Sequence, residues 1–247
     1  APNQFANSED YSVLWYYKNT GLDDLPDPVL QDSQFLVRDM IDLGTGAIPT
    51  PFDANGDGRM DLVVANHNKF GGFLGATLSK LNLYENISPS GEPVFKLVDE
   101  DYLGMLEFNS TSFEFAPTFG DLNGDGKEDA LIGAQNGKLF FKPNTTVGSE
   151  MPNFGAAVYP YMDIDVGQSA RPRIIDLDED GLNDLVIGGR DGRVRFYRNI
   201  GTPTSPAFNP DSEAGDNFIQ LGGIDSRNLG SSLGYATPYI MEQEDDF

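Results

Sequence analysis

The nine residues Asp121-Leu-Asn123-Gly-Asp125-Gly126-Lys127-Glu-Asp129 put oxygen-bearing side chains at loop positions 1, 3, 5 and 9 and a glycine at position 6. A hard cation such as calcium takes six to eight oxygens at about 2.3–2.6 Å. Asp121, Asn123, Asp125 and Asp129 can supply side-chain oxygens, and Lys127 its main-chain carbonyl. The pattern recurs at Asp53-Ala-Asn55-Gly-Asp57-Gly58-Arg59-Met-Asp61 and at Asp176-Leu-Asp178-Glu-Asp180-Gly181-Leu182-Asn-Asp184. Acidic turns arise for their own reasons, since Asp, Asn and Gly all favour them. That accounts for the composition, but not for a fixed spacing with glycine always sixth, repeated at intervals of 68 and 55 residues.

An EF-hand needs a bidentate Glu at position 12 and a helix on each side. Position 12 here is Val64, Ile132 and Ile187, within the apolar runs Leu62–Ala65, Ala130–Gly133 and Leu185–Gly188. These runs have strand length and end at a small residue. The loops therefore join strands, and the EF-hand reading fails.

The chain has 247 residues, 39% of them hydrophobic, with 17 Phe, 10 Tyr, 28 Gly and 16 Pro. This is enough apolar material for a packed core with many turns, and no window approaches the ~20 apolar residues of a membrane-spanning helix. Net charge is −23, and ten of the 39 acidic residues stand at the loop positions. Three calcium ions would bring the charge to −17, still opposed to a nucleic-acid phosphate backbone, which needs a basic face. The absence of cysteine excludes disulfides and thiolate metal sites. The chain begins at Ala1 without a visible signal peptide, as a processed secreted form would.

Around the loops, the chain repeats a head and a tail. The head is a proline four residues before the first ligand: Pro49, Pro117 and Pro172. The tail is an aromatic strand ending at Asn19, Asn86, Asn144 or Asn199, followed by Pro28-Val-Leu30, Pro93-Val-Phe95, Pro152-Asn-Phe154 or Pro206-Ala-Phe208. Asn136-Gly137 and Asp191-Gly192 mark hairpins between apolar runs. In the first full unit a glycine-rich insertion from Asn66 to Ala76 takes the place of that turn. One unit thus reads as four antiparallel strands, a propeller blade. The expected fold is an all-β propeller segment: a partial blade over 1–45, blades over 46–112, 113–167 and 168–233, and the start of another over 234–247. That last head runs from Ala236 to Glu242 and lacks the position-6 glycine, so no metal is expected there. Such a set is a fragment of a larger ring of about seven blades.

The units at 47–66, 115–134 and 170–189 resemble the FG-GAP/VCBS repeats, known from the integrin α-subunit propeller. The second shows the pattern most literally, with Phe119-Gly120 before the loop and Gly133-Ala134 after it. The resemblance implies three structural Ca²⁺ ions. Their ligands would be Asp53, Asn55, Asp57 and Asp61; Asp121, Asn123, Asp125 and Asp129; and Asp176, Asp178, Asp180 and Asp184. Arg59, Lys127 and Leu182 would add carbonyls only. It also implies an extracellular interaction or adhesion module whose protein or glycan partner the sequence does not name. The acidic, cysteine-free style is similar to large secreted bacterial surface proteins, including type IX substrates. This raises a further alternative, a passenger segment in contact with secretion machinery or other domains and without a ligand of its own.

A carbohydrate-active enzyme, or its accessory domain, is the other alternative. Its candidates are few. His67 is the single histidine, and Gly230-Ser-Ser232-Leu-Gly234 matches the nucleophile-elbow motif in letters. That motif needs a strand before it and a helix after it, whereas here it reads as a glycine-serine linker. Arg190, Arg193, Arg195 and Arg198 form the one basic concentration, read as an exposed outer strand. Trp15 and Tyr16 read as blade-packing residues. Asn109 and Asn144 begin glycosylation sequons of a kind common by chance.

Overall fold

A computed structural model describes residues 16–22, 25, 27–32, 43, 46–67, 69–71, 76–148, 151–213, 215 and 217–240. Trp15, Glu242 and the rest of the final head beyond residue 240 lie outside these described residues. The strands in chain order are β1 Tyr16–Asn19, β2 Pro28–Asp32, β3 Ile48–Phe52, β4 Asp61–Ala65, β5 Lys69–Gly71, β6 Ala76–Leu78, β7 Leu81–Asn86 and β8 Phe95–Asp99, followed by β9 Ala116–Gly120, β10 Asp129–Gly133, β11 Leu139–Lys142, β12 Arg171–Ile175, β13 Asp184–Gly188 and β14 Val194–Tyr197. Short 3-10 turns cover Tyr102–Phe108 and Leu221–Gly223.

Every strand pairing is antiparallel, in the sheets β3-β4-β7-β8, β9-β10-β11 and β12-β13-β14 and the hairpins β1-β2 and β5-β6. The fold is all-β, with sheets built as propeller blades. The head prolines pair with position 12 of their own loops: Pro49 with Val64, Pro117 with Ile132 and Pro172 with Ile187. All three stand on strands at the edge of their sheet, where a residue with no N–H to give the ladder is tolerated. The insertion after β4 contains the β5-β6 hairpin.

Among the described residues the first sheet has the expected four strands, while the second and third have three. Their fourth is reduced to isolated bridges, Phe141 with Val158 and Asn144 with Phe154, and Phe196 with Phe218.

Successive sheets pack face to face. In β10, Ala130 and Ile132 join Phe52, Val63 and Leu81 of the first sheet, while Leu131 turns to Leu185 and Ile187 of the third. In β13, Val186 faces the other way, toward Ala236 and Ile240. The strands after the loops are therefore covered on both faces, which is why they read as unbroken apolar runs instead of alternating ones. Across the first interface Phe52 stacks on Phe119 at 4.0 Å, and Met105 of the first 3-10 turn is fully buried in the same core.

The glycines that end β10 and β13 are fixed by close approach. A Cβ at Gly133 would stand 2.2 Å from the Ala170 carbonyl oxygen, and one at Gly188 would stand 2.2 Å from that of Ala236. Residues 236–238 thus sit on the third sheet as residues 170–172 sit on the second. The final head docks as the earlier heads do. Tyr16 is 41% exposed on β1 and is not buried as a blade-packing residue.

Candidate metal centres

Each loop leaves the first strand of its sheet and enters the second in one register. Phe52 pairs with Asp61, Gly120 with Asp129 and Ile175 with Asp184. Position 9 is therefore the first residue of the second strand, and its carboxylate points beneath the loop. Asp61, Asp129 and Asp184 are at most 1% exposed.

Backbone N–H groups fill that buried carboxylate. Asp129 accepts from Leu122 N at 3.1 Å, Asn123 N at 3.2 Å and Asn144 N at 2.8 Å. Asp61 accepts from Ala54 N at 3.0 Å and Asn86 N at 2.7 Å. Asp184 accepts from Leu177 N at 3.1 Å and Asn199 N at 2.8 Å. Burial pushes all three carboxyls above the ordinary aspartate value, against the pull of these hydrogen bonds, and neighbouring loop carboxylates add to the rise. A divalent ion beside them would offset that cost.

Position 1 closes the turn. Asp53 accepts from Asp57 N and Gly58 N, Asp121 from Asp125 N and Gly126 N, and Asp176 from Asp180 N and Gly181 N. The position-6 glycines have φ of +83°, +80° and +87°, the left-handed region that glycine enters without steric cost. Position-5 carboxylates accept the N–H of Arg59, Lys127 and Leu182 at 2.9, 3.0 and 2.9 Å. Asn55 and Asn123 hold position 3 and accept the N–H of Asp57 and Asp125, each at 3.0 Å.

In the third loop, Asp176, Asp178 and Asp184 each bring a carboxylate oxygen within 4.8 Å of the other two. Oxygens on opposite sides of one calcium ion stand roughly 4.6–5.2 Å apart, so this span fits a single coordination shell. In the first and second loops position 3 is an asparagine amide, again an oxygen donor. A set made only of carboxylate, amide and carbonyl oxygens is what a hard cation takes.

Three sets of residues gain roles that the repeat pattern alone did not assign. Asn86, Asn144 and Asn199 donate their N–H to the position-9 carboxylates, and their side-chain oxygens accept from Ser88 N, Thr146 N and Gly201 N to hold the following corner. The aromatic-Asn tail marks this corner. Secondly, Arg59 and Lys127 contribute more than carbonyls: the Arg59 guanidinium pairs with Asp57, and Lys127 Nζ lies 3.4 Å from Asp125. Thirdly, Arg198 reaches the third loop from outside it, 2.7 Å from Asp178 and 3.3 Å from Asp180.

The remaining arginines correct one expectation. Arg195 is 7% exposed, pairing with Asp191 at 2.7 Å, and is not a solvated outer-strand residue. His67 contacts the Glu114 carboxylate at the opposite end of the strands from the loops. Ser232 sits in a turn with neither a strand before it nor a helix after it. Asn144 is 6% exposed and occupied in the corner, so its sequon is closed to glycosylation in the folded chain.

Residues 53–132 match the family model of the FG-GAP-like repeat. Searches of curated proteins and of solved structures gave no match. The matched stretch starts at the first ligand position of the first loop and ends at position 12 of the second, inside β10. From Asp53 to Ile132, across two of its sheets, the chain is similar to the FG-GAP-like repeat.

Proposed function

We propose that the protein is an extracellular interaction or adhesion module in which three calcium ions brace the hairpin loops of successive blades. The supporting observation is the shared register, with a buried position-9 aspartate under each of three oxygen-rich loops. The ligands would be Asp53, Asn55, Asp57 and Asp61 with the Arg59 carbonyl; Asp121, Asn123, Asp125 and Asp129 with the Lys127 carbonyl; and Asp176, Asp178, Asp180 and Asp184 with the Leu182 carbonyl. The ion neutralises carboxylates that otherwise repel one another in a single turn. The chain's own residues hold the turn shape and the corner behind it.

The units that carry the sites are 46–112, 113–167 and 168–233, with partial blades over 1–45 and 234–247, belonging to a larger propeller. The work of the module is recognition and not catalysis, and its partner is a protein or a glycan, with nucleic acid disfavoured by the net charge of −23. Among the described residues no helix is long and apolar enough to cross a membrane.

The direct test is bound calcium per chain after equilibrium dialysis, together with melting in calcium and in chelator. The reading expects about three ions and a higher melting temperature with calcium. No bound calcium, or an unchanged melting temperature, refutes the bracing role.

A further inference from the structure

The residue just before each corner asparagine differs sharply among the blades. It is Glu85 in the first, Pro143 in the second and Arg198 in the third. All three occupy one structural position, since the asparagine that follows each donates its N–H to the position-9 aspartate. From there the side chain lies over position 3 of the loop. Glu85 Oε1 accepts from Asn55 Nδ2 at 3.1 Å, and the Arg198 guanidinium spans Asp178 and Asp180. Proline reaches neither.

We infer that this position sets how strongly each loop holds its cation, with Arg198 acting as a built-in competitor at the third loop and Glu85 as an added oxygen ligand at the first. The inference rests on the calcium reading above. Arg198 occupies one oxygen on each of two of the four carboxylates that would coordinate the ion, so its guanidinium competes with calcium for their charge. The third loop has the most carboxylates, four against three, yet the cation that opposes binding stands on two of them. In the first and second loops the opposing cation comes from position 7, Arg59 or Lys127, and pairs with the position-5 carboxylate, Arg59 also donating to the Asn86 carbonyl. Position 7 of the third loop is Leu182, which carries no charge. At the first loop Glu85 stands within hydrogen-bond distance of the position-3 amide, so its carboxylate would be near enough to add an oxygen to an ion held there.

The position-6 glycine amides give one reporter per loop, because Gly58, Gly126 and Gly181 each donate to the position-1 aspartate. Calcium titration of the whole chain, followed at these three amides by heteronuclear NMR, reads each site separately. Arg198→Gln is expected to tighten calcium about 5-fold at Gly181, the worth of about 1 kcal/mol for a partly exposed ion pair at about 1.4 kcal/mol per tenfold. Arg198→Lys keeps the charge and should stay near the wild type. Glu85→Gln is expected to weaken binding about 5-fold at Gly58 by the same measure. None of these changes should move the midpoint at Gly126. A shift common to all three glycines would signal general loosening and would overturn the assignment. So would an Arg198→Gln midpoint at Gly181 that is unchanged or weaker, while the wild type still binds. Failure of all three wild-type glycines to respond to millimolar calcium would sink the calcium reading itself.

Discussion

Asp129 offers the sharpest test of how the loops are built, because its carboxylate is fully buried and holds both the loop and the corner. Its Oδ2 accepts from Leu122 N and Asn123 N, and its Oδ1 from Asn123 Nδ2 and Asn144 N. Asp129→Asn keeps the volume but turns two donor hydrogens toward one of these groups. At least one buried backbone N–H then loses its acceptor, and the remaining bonds lose their charge assistance. An orphaned buried donor costs about 1–3 kcal/mol. Relief of the burial that raises the Asp129 carboxyl returns part of this, so a net loss of about 2 kcal/mol is expected. The paired control is Asp125→Asn at position 5, whose carboxylate contacts Lys127 alone among protein groups outside the position-3 turn. It should cost under about 0.5 kcal/mol without metal, as surface changes do. Urea unfolding of both variants, in chelator and in millimolar calcium, separates the two roles. Asp129→Asn should be weaker in both media, and Asp125→Asn weaker only with calcium. A metal-free loss below about 1 kcal/mol for Asp129→Asn, or equal losses for the two variants, would refute the claim that position 9 anchors the fold before any ion arrives.

Calcium at millimolar concentration should raise the melting temperature by roughly 6–12 °C. This follows from about 1 kcal/mol per site at three sites and from about 2–4 °C per kcal/mol in a chain of this size; scanning calorimetry with and without chelator checks it. Gly188→Ala should cost at least about 2–3 kcal/mol, since its Cβ would meet the Ala236 carbonyl at 2.2 Å and backbone cannot yield as a flexible side chain can. Chemical denaturation would show this, and a neutral result would mean that residues 236–238 do not dock on the third sheet. Acid stability provides a further check at Asp191. Burial works to raise its carboxyl, but the two bonds from Arg195 and the Arg193 N–H hold it below the ordinary value. A depressed folded value adds stability above the unfolded value of 3.8, and that stability is lost as pH falls through the folded one. Arg195→Gln should therefore be less stable than the wild type at pH 7 in chelator, with the gap closing below about pH 4. A gap that stays constant to pH 2 would assign the whole effect to packing.

The strand–loop–strand reading was legible from local residues. Fixed oxygen spacing, a sixth-position glycine and a following apolar run are all set within about twelve residues, and each has a local physical cause. Asp53, Asp121 and Asp176 could be picked out as the openings of loops, and Pro49, Pro117 and Pro172 as a repeated head four residues before them. What the letters could not show is which partners meet across sequence gaps. Asn199 reads as the end of an aromatic strand, and only folding sets its N–H against Asp184, fifteen residues back. Arg195 and Arg198 look alike in a basic run. One is buried against Asp191, and the other stands over Asp178 and Asp180. The turns and the oxygens follow from local residues, because they depend on neighbours a few bonds away. Which charges face those oxygens emerges on folding, because alternation along paired strands assigns each side chain a side of the sheet, and packing sets what waits there.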